Sequence, residues 1–248
     1  MFSKEYSEEI QEGFDRQMRL LPDSKKEEIC GVMRRGSADE AEALRFLYSA
    51  MPVSDALDYP ASLFYAFARH GAWLYFHGPY AGKVPERLFA NYVLHHRINN
   101  EDIVDNRGFF YDRLRETISG RSMADAAVEA NYWCAAQATY RASDGRTENP
   151  LTMYRTGDGR CGEESTFGVS VMRSIGIPAR QVYAPLWSHC DDNHAWVEVW
   201  CENQWYFLGA CEPEERLNFG WFTGPASRAM LLHSRWFGYD EPLDPVVG

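Results

Sequence analysis

The stretch GDGRCGEESTFGVSVMRSIGIPARQVY, residues 157–183, sets a cysteine behind a glycine-rich turn and at the head of a helical pattern. Gly157, Gly159 and Gly162 surround Cys161, and Glu163 and Glu164 follow it. From Cys161 onward, Phe167, Val171 and Ile175 recur every fourth residue, which predicts one buried stripe of a helix. "GIP" ends that helix, and "ARQVYAP" reads as a short strand. At a helix N-terminus, unpaired N–H groups and the helix dipole favour a thiolate. Glycine at 162 lets a substrate backbone approach closely. These are the surroundings of a nucleophile rather than of a structural cysteine. Glu163 and Glu164 suit the first helical turn electrostatically and oppose thiolate formation slightly.

A nucleophilic thiol needs a base and a polar group that orients the base. Downstream, HAWVEVW (194–200) alternates strictly, with Ala195, Val197 and Val199 on one face and His194, Trp196 and Glu198 on the other. QWYFLG follows across a tight Glu202-Asn203 turn, which predicts an antiparallel hairpin. His194 opens the first of these strands directly after the polar run SHCDDN (188–193), and is the candidate base.

Before Pro150 the chain reads as helix. Ser24 is a candidate N-cap for SKKEEICGVMRRG, and Ser37 with Glu40 forms a capping-box pattern. PASLFYAFARHGAWLYF is apolar around much of its circumference, as in a central helix. Pro85 suits a first helical position, and Ser122 opens a helix of about five turns. WFTGPASRAMLLHSRWFG reads as a covering loop plus helix. The fold class expected is α+β: a mostly helical N-terminal region (1–120), then a core (121–248) in which a nucleophile helix packs on a small antiparallel sheet.

Composition narrows the function. The 248 residues are 45% hydrophobic and carry a formal net charge of −11, which argues against a nucleic-acid partner. No apolar run reaches the length of a membrane span, and MFSKEYSEEIQEGF lacks a signal peptide's apolar region, so a cytoplasmic location is expected. The six cysteines form no C-x-x-C pair, and no H-E-x-x-H or EF-hand spacing is present, so neither metal nor cofactor is expected. Cys30, Cys134 and Cys201 read as small buried apolar groups.

GRCGEES, GIPARQVY, DDNHAWVEVW and WYFLGACEP together resemble the transglutaminase-like superfamily, over roughly residues 120–240. NYWC, TYRASDGRT and LNFGWF fit its bacterial members of uncharacterised activity. The resemblance implies a papain-like core with Cys161 as nucleophile, His194 as general base, and an acid as the third member. Family members usually carry an aspartate four residues after the tryptophan of the next strand. Four after Trp205 is Gly209, and the nearest acid is Glu212, in Glu-Pro where the family has Asp-Pro. With a Glu202-Asn203 turn, residue 211 falls opposite His194, so Glu212 needs a bulge or strand exit to reach the imidazole; Asp192 or Asn193 is the alternative.

The backbone N–H of Cys161 is the default oxyanion donor, and Asn131 or Trp133 is a candidate second donor. Trp187, Trp196, Trp221 and Phe222 are candidates to wall the cleft. Asp191 and Asp192 favour a cationic or amine-bearing substrate, or simply make a solvated turn. HHRINNED (95–102) either reaches over the cleft or is a capped loop. The activity implied is attack on an amide of a peptide, protein or small molecule through a thioester, resolved by water (peptidase, amidase or deamidase). The alternatives are amine transfer, as in a transglutaminase, and a binding module without the chemistry.

Overall fold

The computed structural model describes residues 1–142, 147–235 and 237. Residues 143–146 of TYRASDGRT, 236 and 238 of WFTGPASRAMLLHSRWFG, and all of DEPLDPVVG lie outside the described residues. Two compact units divide at the bond between Arg97 and Ile98.

The first unit is helical: α1 (Lys4–Leu20), α2 (Asp23–Met33), α3 (Ala38–Ala50), α4 (Val53–Asp58), α5 (Ala61–His77) and α6 (Glu86–Phe89), which runs on into a π-helical turn at Ala90–Leu94. Ser37 and Glu40 cap α3 reciprocally, as their spacing predicts. Ser24 is not an N-cap; Pro22 holds that position, and Ser24 lies inside α2. Pro85 likewise stands at the cap of α6, one residue ahead of the first helical position. Tyr6, Ile10 and Phe14, four apart on α1, are buried, as are Phe64, Phe67 and Leu74 of α5. HHRINNED divides. His96 and Arg97 are buried and converge on Asp55, with Arg97 Nε and Nη2 each donating at 2.6 Å and His96 Nε2 at 3.0 Å.

The second unit holds α7 (Arg107–Leu114), α8 (Met123–Gln137), β1 (Thr139–Tyr140), α9 (Pro150–Thr156), β2 (Asp158–Gly159), α10 (Cys161–Ser174), β3 (Ala179–Ala184), β4 (His194–Cys201), β5 (Gln204–Leu208) and α11 (Thr223–Ala226). Helix α8 begins under a Ser122 cap but ends before residue 138, short of the predicted five turns. Thr139 and Tyr140 leave it to pair in parallel with Asp158 and Gly159, and Arg141 N–H donates to Gly159 O at 2.7 Å. That pairing fixes the turn ahead of Cys161.

The sheet is antiparallel in the order β3–β4–β5, with Ala184 opposite His194 and Val197 opposite Leu208. Glu202 and Asn203 take φ of 45° and 73°, the paired left-handed residues of a type I′ hairpin turn. Helix α10 buries Phe167, Val171 and Ile175 completely. It packs against the Val197 face of the sheet, where Gly168 allows close approach to the Val197 side chain. On the opposite face Val182, Trp196, Phe207 and Phe222 form a second apolar cluster. This is the α+β arrangement expected, with the helix headed by Cys161 packed on a small antiparallel sheet. Among the described residues no helix is long and apolar enough to cross a membrane.

Candidate active site

The turn that delivers Cys161 is built by its neighbours. Gly157 ends α9 in the left-handed conformation at φ 76°, which favours glycine. The Glu163 carboxylate turns back on Arg160, accepting from its backbone N–H at 2.8 Å, from Nε at 3.0 Å and from Nη2 at 2.5 Å. Cys161 is the first residue of α10, half-buried. The space a side chain at Gly162 would enter is open.

The thiol lies at the end of β4 that begins with His194. Cys161 Sγ lies against the backbone N–H of Ala195, the residue directly after His194. Burial pushes the thiol pKa up; the Ala195 N–H opposes this, Glu164 adds to it, the Gly162 N–H opposes and Glu163 adds. The depressed pKa anticipated from the helix terminus is therefore not the resting condition, because burial outweighs the N–H groups. His194 is 7% exposed, and burial lowers its pKa to about 4 against the pull of Asp192. At neutral pH the resting pair is thus a thiol and a neutral imidazole. His194 Nε2 is buried without a hydrogen-bond partner among the described residues.

Aromatic rings hold the imidazole. Trp221 lies 4.7 Å away between ring centroids, Phe222 5.0 Å and Trp196 6.0 Å. Trp196 is fully buried and stacks on Trp187 and Phe222. It is a floor beneath His194 rather than a wall open to substrate. Trp221 is 59% exposed and covers the ring from outside. Its indole Nε1 donates to Glu212 Oε2 at 2.9 Å. Asp192 is exposed; its carboxylate accepts from the Asn193 N–H at 2.8 Å, and its carbonyl from the Trp187 N–H at 2.9 Å.

Glu212 lies beyond the end of β5, in a turn. Residues 209–212 form a turn in which Glu212 N–H donates to Gly209 O at 3.2 Å, with Cys211 at φ 56°. Asn131 clamps the turn from α8: Nδ2 donates to Gly209 O at 2.7 Å, and Oδ1 accepts from Cys211 N–H at 3.0 Å. Asn131 thus supports the turn with one amide N–H and its carbonyl. The Trp133 ring stacks on Tyr154 at 6.0 Å and 10° and packs near Phe110 and Phe167.

Beneath the turn, Glu164 is 3% exposed. Burial, then the charges of Glu212 and Glu163, raise its pKa to about 8. Glu212 is itself raised by burial, which the Trp221 hydrogen bond partly offsets. The two carboxyls therefore hold a proton near neutral pH.

A cleft of about 280 Å³ opens beside the thiol, lined among others by Cys161, Gly162, Gln181, Tyr183 and Asn193. Gln181 was not legible as a site residue. Its Nε2 donates to Ser165 Oγ at 2.7 Å and to Gly162 O at 3.0 Å, and its Oε1 accepts from Asn99 at 2.8 Å. The signal available was an amide inside a strand otherwise rich in Val, Ala and Tyr. Cys134, Cys201 and Cys211 are buried, Cys30 is half-buried rather than buried, and Cys190 is exposed. Among the described residues no three His, Cys, Asp or Glu side chains group as a metal site.

Residues 112–210 match the family model described as the transglutaminase-like superfamily. A peptide-N(4)-(N-acetyl-beta-glucosaminyl)asparagine amidase of Eremothecium gossypii is 31% identical over 93 residues, covering 34% of this chain and 25% of the relative. Among solved structures, a Cytophaga hutchinsonii protein provisionally assigned as a cysteine protease is 14% identical with a TM-score of 0.37, covering 58% of this chain and 54% of that one. The chain thus spans a quarter of the curated relative and about half of the solved one.

Proposed function

From a chain that carries a transglutaminase-like domain, we propose a thiol-dependent enzyme that cleaves an amide bond through a Cys161 thioester, with water as the acceptor. The observation that carries this reading is the Ala195 N–H against the Cys161 thiol, which sets the nucleophile beside the first residue of the histidine strand. The neutral His194 takes the thiol proton as Sγ adds to the amide carbonyl. The developing oxyanion meets the N–H groups at the start of α10. The C–N bond breaks as His194 returns that proton to the departing nitrogen. Water then adds to the thioester, giving one proton to His194, which passes it to the leaving thiolate as the acid product forms.

Glu212 is the acid we assign to His194. It acts together with Trp221, whose ring lies over the imidazole and whose N–H it holds. The likeness to a protein named as an amidase supports hydrolysis over amine transfer.

The test is the rate of Cys161 alkylation by a haloacetamide between pH 6 and 10, mapped by peptide mass, in wild type and His194→Ala. Because burial keeps the resting thiol protonated, alkylation below pH 8 is expected to be slow in wild type and slower still in His194→Ala, which cannot take the proton as the reagent reacts, with amide cleavage lost in Cys161→Ala. Identical titration in both proteins overturns the pair and leaves a binding module. Incorporation of a labelled primary amine in preference to water identifies a transferase instead.

A further inference from the structure

Among the described residues, the cleft beside Cys161 is lined by the cations Arg160 and Arg235 and by no aspartate or glutamate, in a chain of net charge −11. Such an inversion of sign at one place in an acidic protein selects what enters it.

The two arginines differ. Arg160 is held by the buried Glu163 carboxylate through Nε and Nη2, so much of its charge is already answered. Arg235 is exposed and makes no ion pair among the described residues, so its charge faces whatever enters the cleft. Of the acids that act on Cys161 or Tyr183, Glu163 is turned onto Arg160, Glu164 is buried and holds its proton to about pH 8, and the Asp192 carboxylate accepts the Asn193 N–H. Tyr183, a lining residue, lies in the field of Arg160 and Arg235 as well as of Asp192, and the two arginines act on it more strongly than Asp192 does. The remaining lining is neutral and includes Asn99, Asn100, Gln181 and Asn193.

Resting on the reading of Cys161 as an amide-attacking thiol, we infer that the substrate is an anionic amide, one that presents a carboxylate to Arg235 when its carbonyl is at the thiol. This reverses the cationic preference that Asp191 and Asp192 suggest in the sequence, because those side chains do not line the cleft. The carboxylate belongs either to an acidic side chain or to a peptide C-terminus. Arginine suits either, since its guanidinium binds a carboxylate through two parallel N–H donors.

The experiment uses full-length Cys161→Ser protein, so that binding is read without turnover. Four N-acetylated tetra-alanine peptides are titrated by NMR: one amidated and neutral, one with a free C-terminal carboxylate, one amidated with a single glutamate, and one amidated with a single lysine. At least one of the two anionic peptides is expected to bind about fivefold or more tightly than the neutral one, equivalent to roughly 1 kcal/mol. The lysine peptide is expected to bind weakest. Which anionic peptide wins identifies the source of the carboxylate. Adding Arg235→Ala is expected to bring all four together.

Equal binding of the four, tightest binding of the lysine peptide, a preference that survives Arg235→Ala, or no binding by any peptide overturns the inference. Because the serine variant lacks the thiol, this result separates from the alkylation test. Anion selectivity without His194-dependent alkylation leaves a binding cleft and removes the enzyme. Alkylation without anion selectivity leaves the enzyme and removes this substrate class.

Discussion

Glu212 Oε2 lies 3.0 Å from the point where a Cβ on Gly209 would stand. The carboxylate at 212 thus fills space that a side chain at 209, the position where the family resemblance implies an aspartate, would take. Glu212→Ala is expected to lower kcat/KM by about 100-fold, in line with loss of a group that orients a general base. Restoring an acid as Gly209→Asp in that background is expected to recover part of the loss. Gly209→Ala alone crowds the carboxylate and is expected to reduce activity with Glu212 still present. Steady-state kinetics on the four proteins decide; an unimpaired Glu212→Ala removes Glu212 from the site.

Trp221 joins the acid to the imidazole, donating to one and covering the other. Trp221→Phe keeps a ring over His194 but removes the donor. Since that hydrogen bond holds the Glu212 pKa down, its loss raises Glu212 further. The acid limb of the pH–rate profile is then expected to move to higher pH, with kcat falling about tenfold and KM little changed. Trp221→Ala is expected to lose more, because the imidazole is also uncovered. A profile that stays in place in Trp221→Phe means that the indole only packs.

Much of this site was legible because its parts obey local rules. The stripe Phe167–Val171–Ile175 announces α10, and the alternation from His194 to Trp200 announces β4. Glu202-Asn203 announces the turn that sets the register. What was not legible depends on contacts distant in sequence. The clamp of Asn131 on the 209–212 turn spans about 80 residues, and an amide on a helix looks the same whether it clamps a turn or faces an oxyanion. Gln181 and Arg235 reach the cleft only because β3 and the segment before Trp236 are brought to it. The thiol pKa was misjudged for a related reason: helix-terminal position is visible in sequence, and burial is not. Helix α1 was a missed local signal, since Tyr6, Ile10 and Phe14 repeat every fourth residue.

Asp55 anchors the first unit. Burial pushes its pKa up, but His96 and Arg97 outweigh this and hold it at about 2. A carboxylate depressed from 3.8 contributes stability that is fully present above 3.8 and lost as pH falls towards 2. Asp55→Ala removes the carboxylate that a buried guanidinium and imidazole share and is expected to cost about 3–5 kcal/mol. Chemical denaturation at pH 7 checks this. A change under about 1 kcal/mol, within the range of an exposed ion pair, means that Arg97 finds another partner.

Glu164 and His194 impose opposite pH dependences. With a native pKa of about 8 against an ordinary 4.5, Glu164 holds a proton when folded that the unfolded chain has released, so stability falls as pH rises across that interval. His194, at about 4 against 6.5, is neutral when folded while the unfolded chain is protonated, so stability rises with pH between those values. From pH 4.5 to 6.5 the two slopes cancel, and above 6.5 the Glu164 slope stands alone. At about 1.4 kcal/mol per pH unit, that limb amounts to roughly 2 kcal/mol by pH 8. Glu164→Gln, which keeps the shape of the protonated acid, removes the whole penalty that builds up above pH 4.5, and is expected to raise stability by about 1.4 kcal/mol at pH 5.5 and about 4–5 kcal/mol at pH 8, so that the gain in Tm at pH 8 is about three times that at pH 5.5. Calorimetry of both proteins across pH 4 to 9 reads the difference. If the alkaline limb persists undiminished in Glu164→Gln, the proton lies elsewhere, and the carboxyl pair beneath the turn is not its holder.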